Sequence, residues 1–338
     1  VAAANGRRLG LRNRVRVVSS PVPDQPTMND SSDFRADVRR IWDELQRIET
    51  SGAYGNIEGG SIEQQRDRRL QFQHCANYAA VLAVLRETRS AGLRLLELGC
   101  GSGVLTSALA RAMPAGWTIE ATDYSEHLLA GAKKRFEREG LCFSHLDARN
   151  IRPERLKGID AVLLLEVFEH LPSEDAQALL DRVYNALPSG GTMVLTTPDR
   201  AAFPRPFSGY APHFVEYTYR SLDRFVSDPR RSPFEAHDLC RLVSRRIVSE
   251  SVRSEDRGGY IVNRLQRLML GLGRRHAEFS AFRGWVESRL FRLYSQLPQR
   301  DGFDLDGYLS TLDLVRFQPE AHDSDSYGLV AVLRKTRK

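Results

Sequence analysis

The chain has 338 residues, 41% of them apolar and 27% charged, with a formal net charge of +6; that length accommodates two modest domains or one with a large elaboration. No apolar run approaches the length needed to span a bilayer. Cys75, Cys100, Cys142 and Cys240 are scattered without a C-x-x-C pair, which speaks against a disulfide framework or a cysteine zinc site and fits a reducing, cytoplasmic setting.

Residues 1–27 contain five arginines, three prolines and no acid before Asp24, and the first methionine is Met28. Such a composition predicts a disordered leader. Its arginine-rich, acid-poor character fits a transit peptide, translation from an upstream start, or appended sequence. Helices are predicted over 33–49 and, beyond the turn-rich stretch Ser51–Gly60, over 62–88.

The run Leu93-Arg-Leu-Leu-Glu-Leu-Gly-Cys-Gly-Ser-Gly103 carries the most information. Leu93–Leu98 reads as a buried parallel strand, and Val104, Leu105, Ala108, Leu109 and Ala112 then recur at helical spacing. Glycines 99, 101 and 103 allow a tight turn and close approach of a ligand, while the helix N-terminus offers unpaired N–H groups. A dinucleotide fingerprint would need glycine at 104, where Val104 stands. Trp117–Asp123 is a second strand ending in a carboxylate about 20 residues on, suited to ribose hydroxyls. Tyr124 can lie along a base. Leu141–Ala148 forms a third strand, whose terminal Asp147 can accept from an adenine amino group. Ile159–Glu166 and Thr192–Pro198 are the fourth and fifth, with helices near 126–138 and 173–187.

Pro198–Pro212 reads as an irregular loop in which Phe203, Phe207 and Tyr210 are interleaved with Arg200 and Arg205; continued by Phe214 and Tyr217, it suits an aromatic acceptor pocket or a loop packed on the sheet edge. Thr218 is placed to cap a helix through Phe225, and Phe234–Val243 suggests another. The sixth strand is expected at Ile247–Val252, with Ser310–Phe317 as the alternative. Helical spacing follows over 260–272 and 279–297, and Gly328–Arg334 is the expected last strand. Residues 229–300 carry 15 arginines against 7 acids, which makes either a solvated basic face or a nucleic-acid or anionic-lipid surface.

One dense cluster can carry chemistry. Glu166-Val-Phe-Glu169-His170 ends the fourth strand, and His213 lies downstream. Glu169 and His170 can serve as base and orienting partner, or Glu166, Glu169, His170 and His213 can hold magnesium or manganese. His74, His127 and His145 have no partners at ligand spacing.

Over residues 93–200 these motifs resemble the class I S-adenosylmethionine-dependent methyltransferases, whose first motif would be Glu97-x-Gly99-x-Gly101-x-Gly103. The resemblance implies a Rossmann-like seven-stranded sheet. It also implies that Glu97 and the glycine backbone face the methionine part of S-adenosylmethionine, Asp123 the ribose, Asp147 and Ala148 the adenine, and Glu166 the mouth of the site. The implied layout is a leader (1–27), an N-terminal helical cover (28–90), the cofactor-binding core (91–258), a helical insertion or lid (259–320) and the last strand with its tail (321–338). The E-x-x-E-H segment resembles ubiquinone-biosynthesis O-methyltransferases and small-RNA 3′-terminal ribose 2′-O-methyltransferases. His213-Phe-Val-Glu-Tyr-Thr218 loosely matches the RNA group, but Ala211 and Pro212 precede it where that group has a second histidine. The expected activity is O-methylation of a small or amphipathic metabolite; RNA as acceptor, and a non-catalytic cofactor-binding regulator, are the alternatives.

Overall fold

A computed structural model describes residues 31–51, 68–88, 92–208, 210, 212–254, 303–316 and 325–336. Two helices come first, the amphipathic α1 (Ser31–Thr50) and α2 (Arg68–Thr88), which is buried along most of its length. Short apolar runs then alternate with helix-spaced stripes, the pattern of a parallel sheet covered on both faces. It yields β1 (Arg94–Leu98), α3 (Val104–Ala112), β2 (Thr118–Asp123), α4 (Glu126–Phe136), β3 (Leu141–His145), β4 (Ala161–Leu165), α5 (Ser173–Ala186) and β5 (Thr192–Pro198). The remainder is α6 (Tyr219–Ser227), β6 (Ala236–Val243), α7 (Arg245–Ser254), α8 (Leu305–Ser310), β7 (Asp313–Arg316) and β8 (Ser326–Arg334).

The strands form one sheet in the order β3-β2-β1-β4-β5-β8-β6-β7. Strands β1 to β5 are mutually parallel, β8 runs antiparallel to both β5 and β6, and β7 is antiparallel to β6 at the edge. Chain order reverses between β1 and β4, so their carboxyl ends flank the crevice in which open α/β sheets bind ligands. Because β8 is antiparallel, its first residues also lie at that end. One face of the sheet shares its core with α1, α2, α3 and α4, through Ile41, Phe72, Leu109 and Phe136 among others; the opposite face packs on α5 and α6 through Leu179, Val183, Leu222 and Phe225.

The sheet is Rossmann-like as expected but has eight strands among the described residues, not seven. The sixth strand is Ala236–Val243, where a helix was expected, and Ile247–Val252 lies in α7. The β-branched Ile247, Val248 and Val252 mimic a strand, but Ser244 starts a helix here, its carbonyl accepting from Val248 N–H. Ile247 and Val248 are then buried on one face. The alternative strand position, Ser310–Phe317, contains the added edge strand β7. Thr218 caps α6 in a capping box with Ser221. The expected leader and the helices expected over 260–272 and 279–297 lie outside the described residues. Among the described residues no helix is long and apolar enough to cross a membrane.

The turn between β1 and α3 sets the tolerance for substitution. Gly103 has φ +74°, and a Cβ there would sit 2.4 Å from the Phe143 ring, whereas Gly101, at φ +56°, faces open space. Gly103→Ala should lower stability by ~2–4 kcal/mol, combining left-handed strain with overpacking, and Gly101→Ala by only ~1–2 kcal/mol. Urea denaturation of the two variants checks the difference; equal losses would contradict it.

Candidate functional site

Glu97, the last but one residue of β1, lies just before the glycine turn and is fully buried. The Tyr78 hydroxyl on α2 donates to its Oε1 at 2.6 Å, and the Thr106 hydroxyl on α3 donates to Oε2 at 2.7 Å. Burial pushes this carboxyl above its usual range, against the pull of those two donors. These two bonds tie β1, α2 and α3 together. Gly99 and Cys100 donate their N–H groups to the Thr122 carbonyl, and these bonds hold the turn against β2.

Asp123 sits at the end of β2, buried to 5% exposure. Its carboxylate accepts from Gly101 N–H at 2.9 Å and from Ser125 N–H at 2.8 Å. A carboxylate has about four lone-pair sites, so each oxygen keeps capacity for a further donor. Tyr124 stands beside it, 72% exposed, its carbonyl held by His145. Asp147 lies past β3, capping the turn that begins at Ala148 and pairing with Arg149 at 2.9 Å. Hydrogen bonds from Arg149 hold its carboxyl below the usual range, although burial pulls the other way.

The ends of β4 and β5 assemble the densest chemistry. Glu169 and His170 fall on a single 3-10 turn, and the chain after β5 returns His213 to the same point. Glu169 Oε2 accepts from the Thr197 hydroxyl at 2.9 Å, leaving Oε1 about equally placed, at 4.0 Å, from Nε2 of His170 and of His213. Each imidazole is anchored through its other nitrogen: His170 Nδ1 meets the Pro212 carbonyl at 3.3 Å and His213 Nδ1 meets Glu216 at 2.6 Å. Those acceptors call for protonated Nδ1 atoms, which turns both Nε2 lone pairs toward Glu169. Burial, reinforced by His213, lowers the His170 pKa to about 4, so it is neutral near pH 7. The Glu169 carboxyl is pushed well above its usual range by burial and then by the neighbouring Glu166 charge.

Glu166 itself stands outside the Glu169, His170 and His213 group. Among the described residues it is the one non-glycine with positive φ, at 56°, and its buried Oε1 has no hydrogen-bond partner.

Sequence reasoning missed Glu216, which orients His213 and is held by Ser208 N–H at 2.7 Å and by Arg200 at 3.2 Å. Burial would raise its pKa, but hydrogen bonds from His213 and Ser208 prevail and lower it. The only signal was an acid three residues after the histidine. Nor did the sequence reveal that Thr197 and Tyr78 partner the two buried glutamates. The aromatic loop contributes exposed Tyr210 and Phe214 beside His213, with the Tyr210 and His213 rings 4.8 Å apart.

Residues 96–193 match a family described as methyltransferase domain. The chain is 30% identical over 142 residues, 41% of its length and 52% of the relative's, to a ubiquinone biosynthesis O-methyltransferase of Psychrobacter arcticus. It is 31% identical over 179 residues, 51% of its length and 65% of the relative's, to a protein of the same name from Ruegeria pomeroyi. The chain thus spans between about half and two thirds of these relatives. Among solved structures, phosphoethanolamine N-methyltransferase 2 of Haemonchus contortus aligns with 90% of this chain and 60% of its own at 18% identity, with a TM-score of 0.43.

The Glu166 carboxyl, whose Oε1 is buried, gives a prediction in pH. Burial raises its pKa to about 7, so the folded protein binds the proton more tightly than the unfolded chain does. Stability from this group is therefore full below the ordinary glutamate pKa and is lost as pH rises toward 7. Glu166→Gln should raise the thermal midpoint of the ligand-free protein at pH 8, with the gain vanishing near pH 4.5. A midpoint lowered at pH 8 would show that the charge is compensated in the fold.

Proposed function

We propose that the chain is a class I S-adenosylmethionine-dependent methyltransferase and that it methylates a hydroxyl group on a small or amphipathic acceptor with the help of a divalent cation. The observation that carries this reading is the convergence of Glu169 Oε1 with two Nε2 lone pairs at 4.0 Å. Three acceptors facing one another repel unless a cation or proton lies among them. One carboxylate and two imidazoles form a divalent-metal donor set, with the Glu216 carboxylate behind His213 as the outer partner such sites use. The imidazoles favour manganese over magnesium.

S-adenosylmethionine also fits the residues present. Open space in front of Gly101 lets a ligand approach the turn. The Asp123 carboxylate is pre-oriented by two backbone donors for ribose hydroxyls, and Tyr124 offers a flat exposed face to the adenine. Asp147 and Ala148 border the adenine side. When bound, the cofactor supplies an electrophilic methyl on sulfonium and the cation lowers the pKa of the acceptor hydroxyl.

The protein's own residues supply position. Thr197 fixes the Glu169 carboxylate and Glu216 fixes the His213 ring, so the donors need no reorganisation. Tyr210 and Phe214 line the approach with aromatic surface, which suits an acceptor carrying a ring. The names of the relatives, both O-methyltransferases, support a hydroxyl acceptor.

Chelation should abolish methyl transfer to catechol, and manganese should restore it. Glu216→Gln should raise the manganese requirement ~10–100-fold by releasing the His213 ring while leaving cofactor affinity unchanged. Indifference to chelator would contradict the cation, and transfer to single-stranded RNA but not to small hydroxyl compounds would contradict the acceptor.

A further inference from the structure

Arg200 stands just past β5, only 5% exposed, and outside the Glu169, His170 and His213 group. Its guanidinium is engaged on several sides at once. Nε lies 3.2 Å from Oε2 of Glu216, Nη2 donates to the Arg205 carbonyl at 2.9 Å, and Cζ stands 4.1 Å from the centre of the Phe203 ring. The side chains of the ion pair are 5% and 1% exposed. A pair so buried returns little net stability, because desolvation offsets most of the attraction. What a planar guanidinium does supply, by meeting an acid and a carbonyl with its edges and a ring with its face, is direction, which a lysine ammonium does not.

Direction matters because of what Glu216 holds. Its Oε1 meets His213 Nδ1 at 2.6 Å and accepts from the Ser208 hydroxyl, while its Oε2 accepts from Ser208 N–H at 2.7 Å. Ser208 belongs to the irregular loop after β5. Arg200 is rooted at the sheet, where its N–H bonds the Tyr217 carbonyl at 2.9 Å beside the bridge between Asp199 and Tyr217. It also ties down the chain that leads to Ser208, because its carbonyl accepts from Phe203 N–H at 3.1 Å and its guanidinium holds the Arg205 carbonyl. Both holds on Glu216 Oε2 therefore trace back to Arg200. A ligand ring displaced by about 0.5 Å already loses the geometry that a metal site needs.

We propose that Arg200 is a positioning residue for the cation site: it fixes the Glu216 carboxylate, which aims His213 Nε2 at the point shared with Glu169 Oε1 and His170 Nε2. The role rests on the cation-assisted reading of the site.

The test is manganese affinity, read from the paramagnetic resonance of the free ion, for the wild type, Arg200→Gln, Glu216→Gln and the double variant. Arg200→Gln should weaken manganese binding about tenfold or more, as loss of an outer partner does, and leave S-adenosylhomocysteine affinity unchanged. Because Arg200 acts through Glu216, removing it should change manganese affinity by less than about twofold in the Glu216→Gln background. A merely structural arginine would lower the thermal midpoint and give an equal fold-loss, or none, in both backgrounds, and either result overturns the role. If Arg200→Gln does not fold, Arg200→Lys takes its place in the same cycle, keeping the charge and losing the fork. A smaller loss confined to the background that retains Glu216 is then expected, and an equal loss or none in both overturns the role. Manganese binding that is indifferent to Glu216→Gln also overturns it while leaving the cation standing. Failure of the wild type to bind manganese overturns the cation reading itself, and the role of Arg200 with it.

Discussion

The fully buried Glu97 carboxylate is the interaction on which the ligand end of the sheet depends. It can remain in the core only because α2 supplies the Tyr78 hydroxyl and α3 the Thr106 hydroxyl; removing one partner of a buried charge costs far more than a surface contact returns. The triangle fixes three things at once. It holds the glycine turn over β1, sets the start of α3, and keeps α2 against the sheet, where Asn77 reaches the first residues of β8.

Acidic residues at the other strand ends then take separate roles through their partners. Asp123 is held by backbone N–H groups and keeps lone pairs for a ligand. Asp147 is occupied by Arg149 and the turn it caps. Glu169 is fixed on one oxygen and faces two imidazoles with the other, Glu216 works behind His213, and Glu166 has a buried oxygen with no partner. Chemical identity alone does not separate these roles; the number and type of hydrogen-bond donors around each carboxylate does.

Much of this was legible in the sequence because its signals are local. The glycine turn, the strands running to Asp123 and Pro198, and the Thr218 cap each depend on residues a few positions apart. The misreadings have equally physical causes. Strand β6 contains His237, Asp238 and a buried Arg241, which obscure its apolar alternation, whereas α7 carries the β-branched pair Ile247-Val248 in its first turn, which reads as a strand. The convergence of Glu169, His170 and His213 was suggested by their types, but the role of Glu216 depended on which His213 nitrogen points outward. The bulge between β6 and β8, where Leu242 pairs with Gly328 but Val243 with Ser326, was not readable, since a bulge exists only relative to the register of the neighbouring strand.

On the function proposed above, the crevice above β1, β2 and β4 binds a nucleoside-bearing sulfonium cofactor through the Asp123 carboxylate. Equilibrium titration of the wild type and Asp123→Ala with S-adenosylhomocysteine and with NAD tests this directly. S-adenosylhomocysteine should bind and NAD should not, and Asp123→Ala should weaken binding by about tenfold or more through loss of a charged acceptor. Binding of NAD, or an affinity for S-adenosylhomocysteine indifferent to Asp123→Ala, would contradict it.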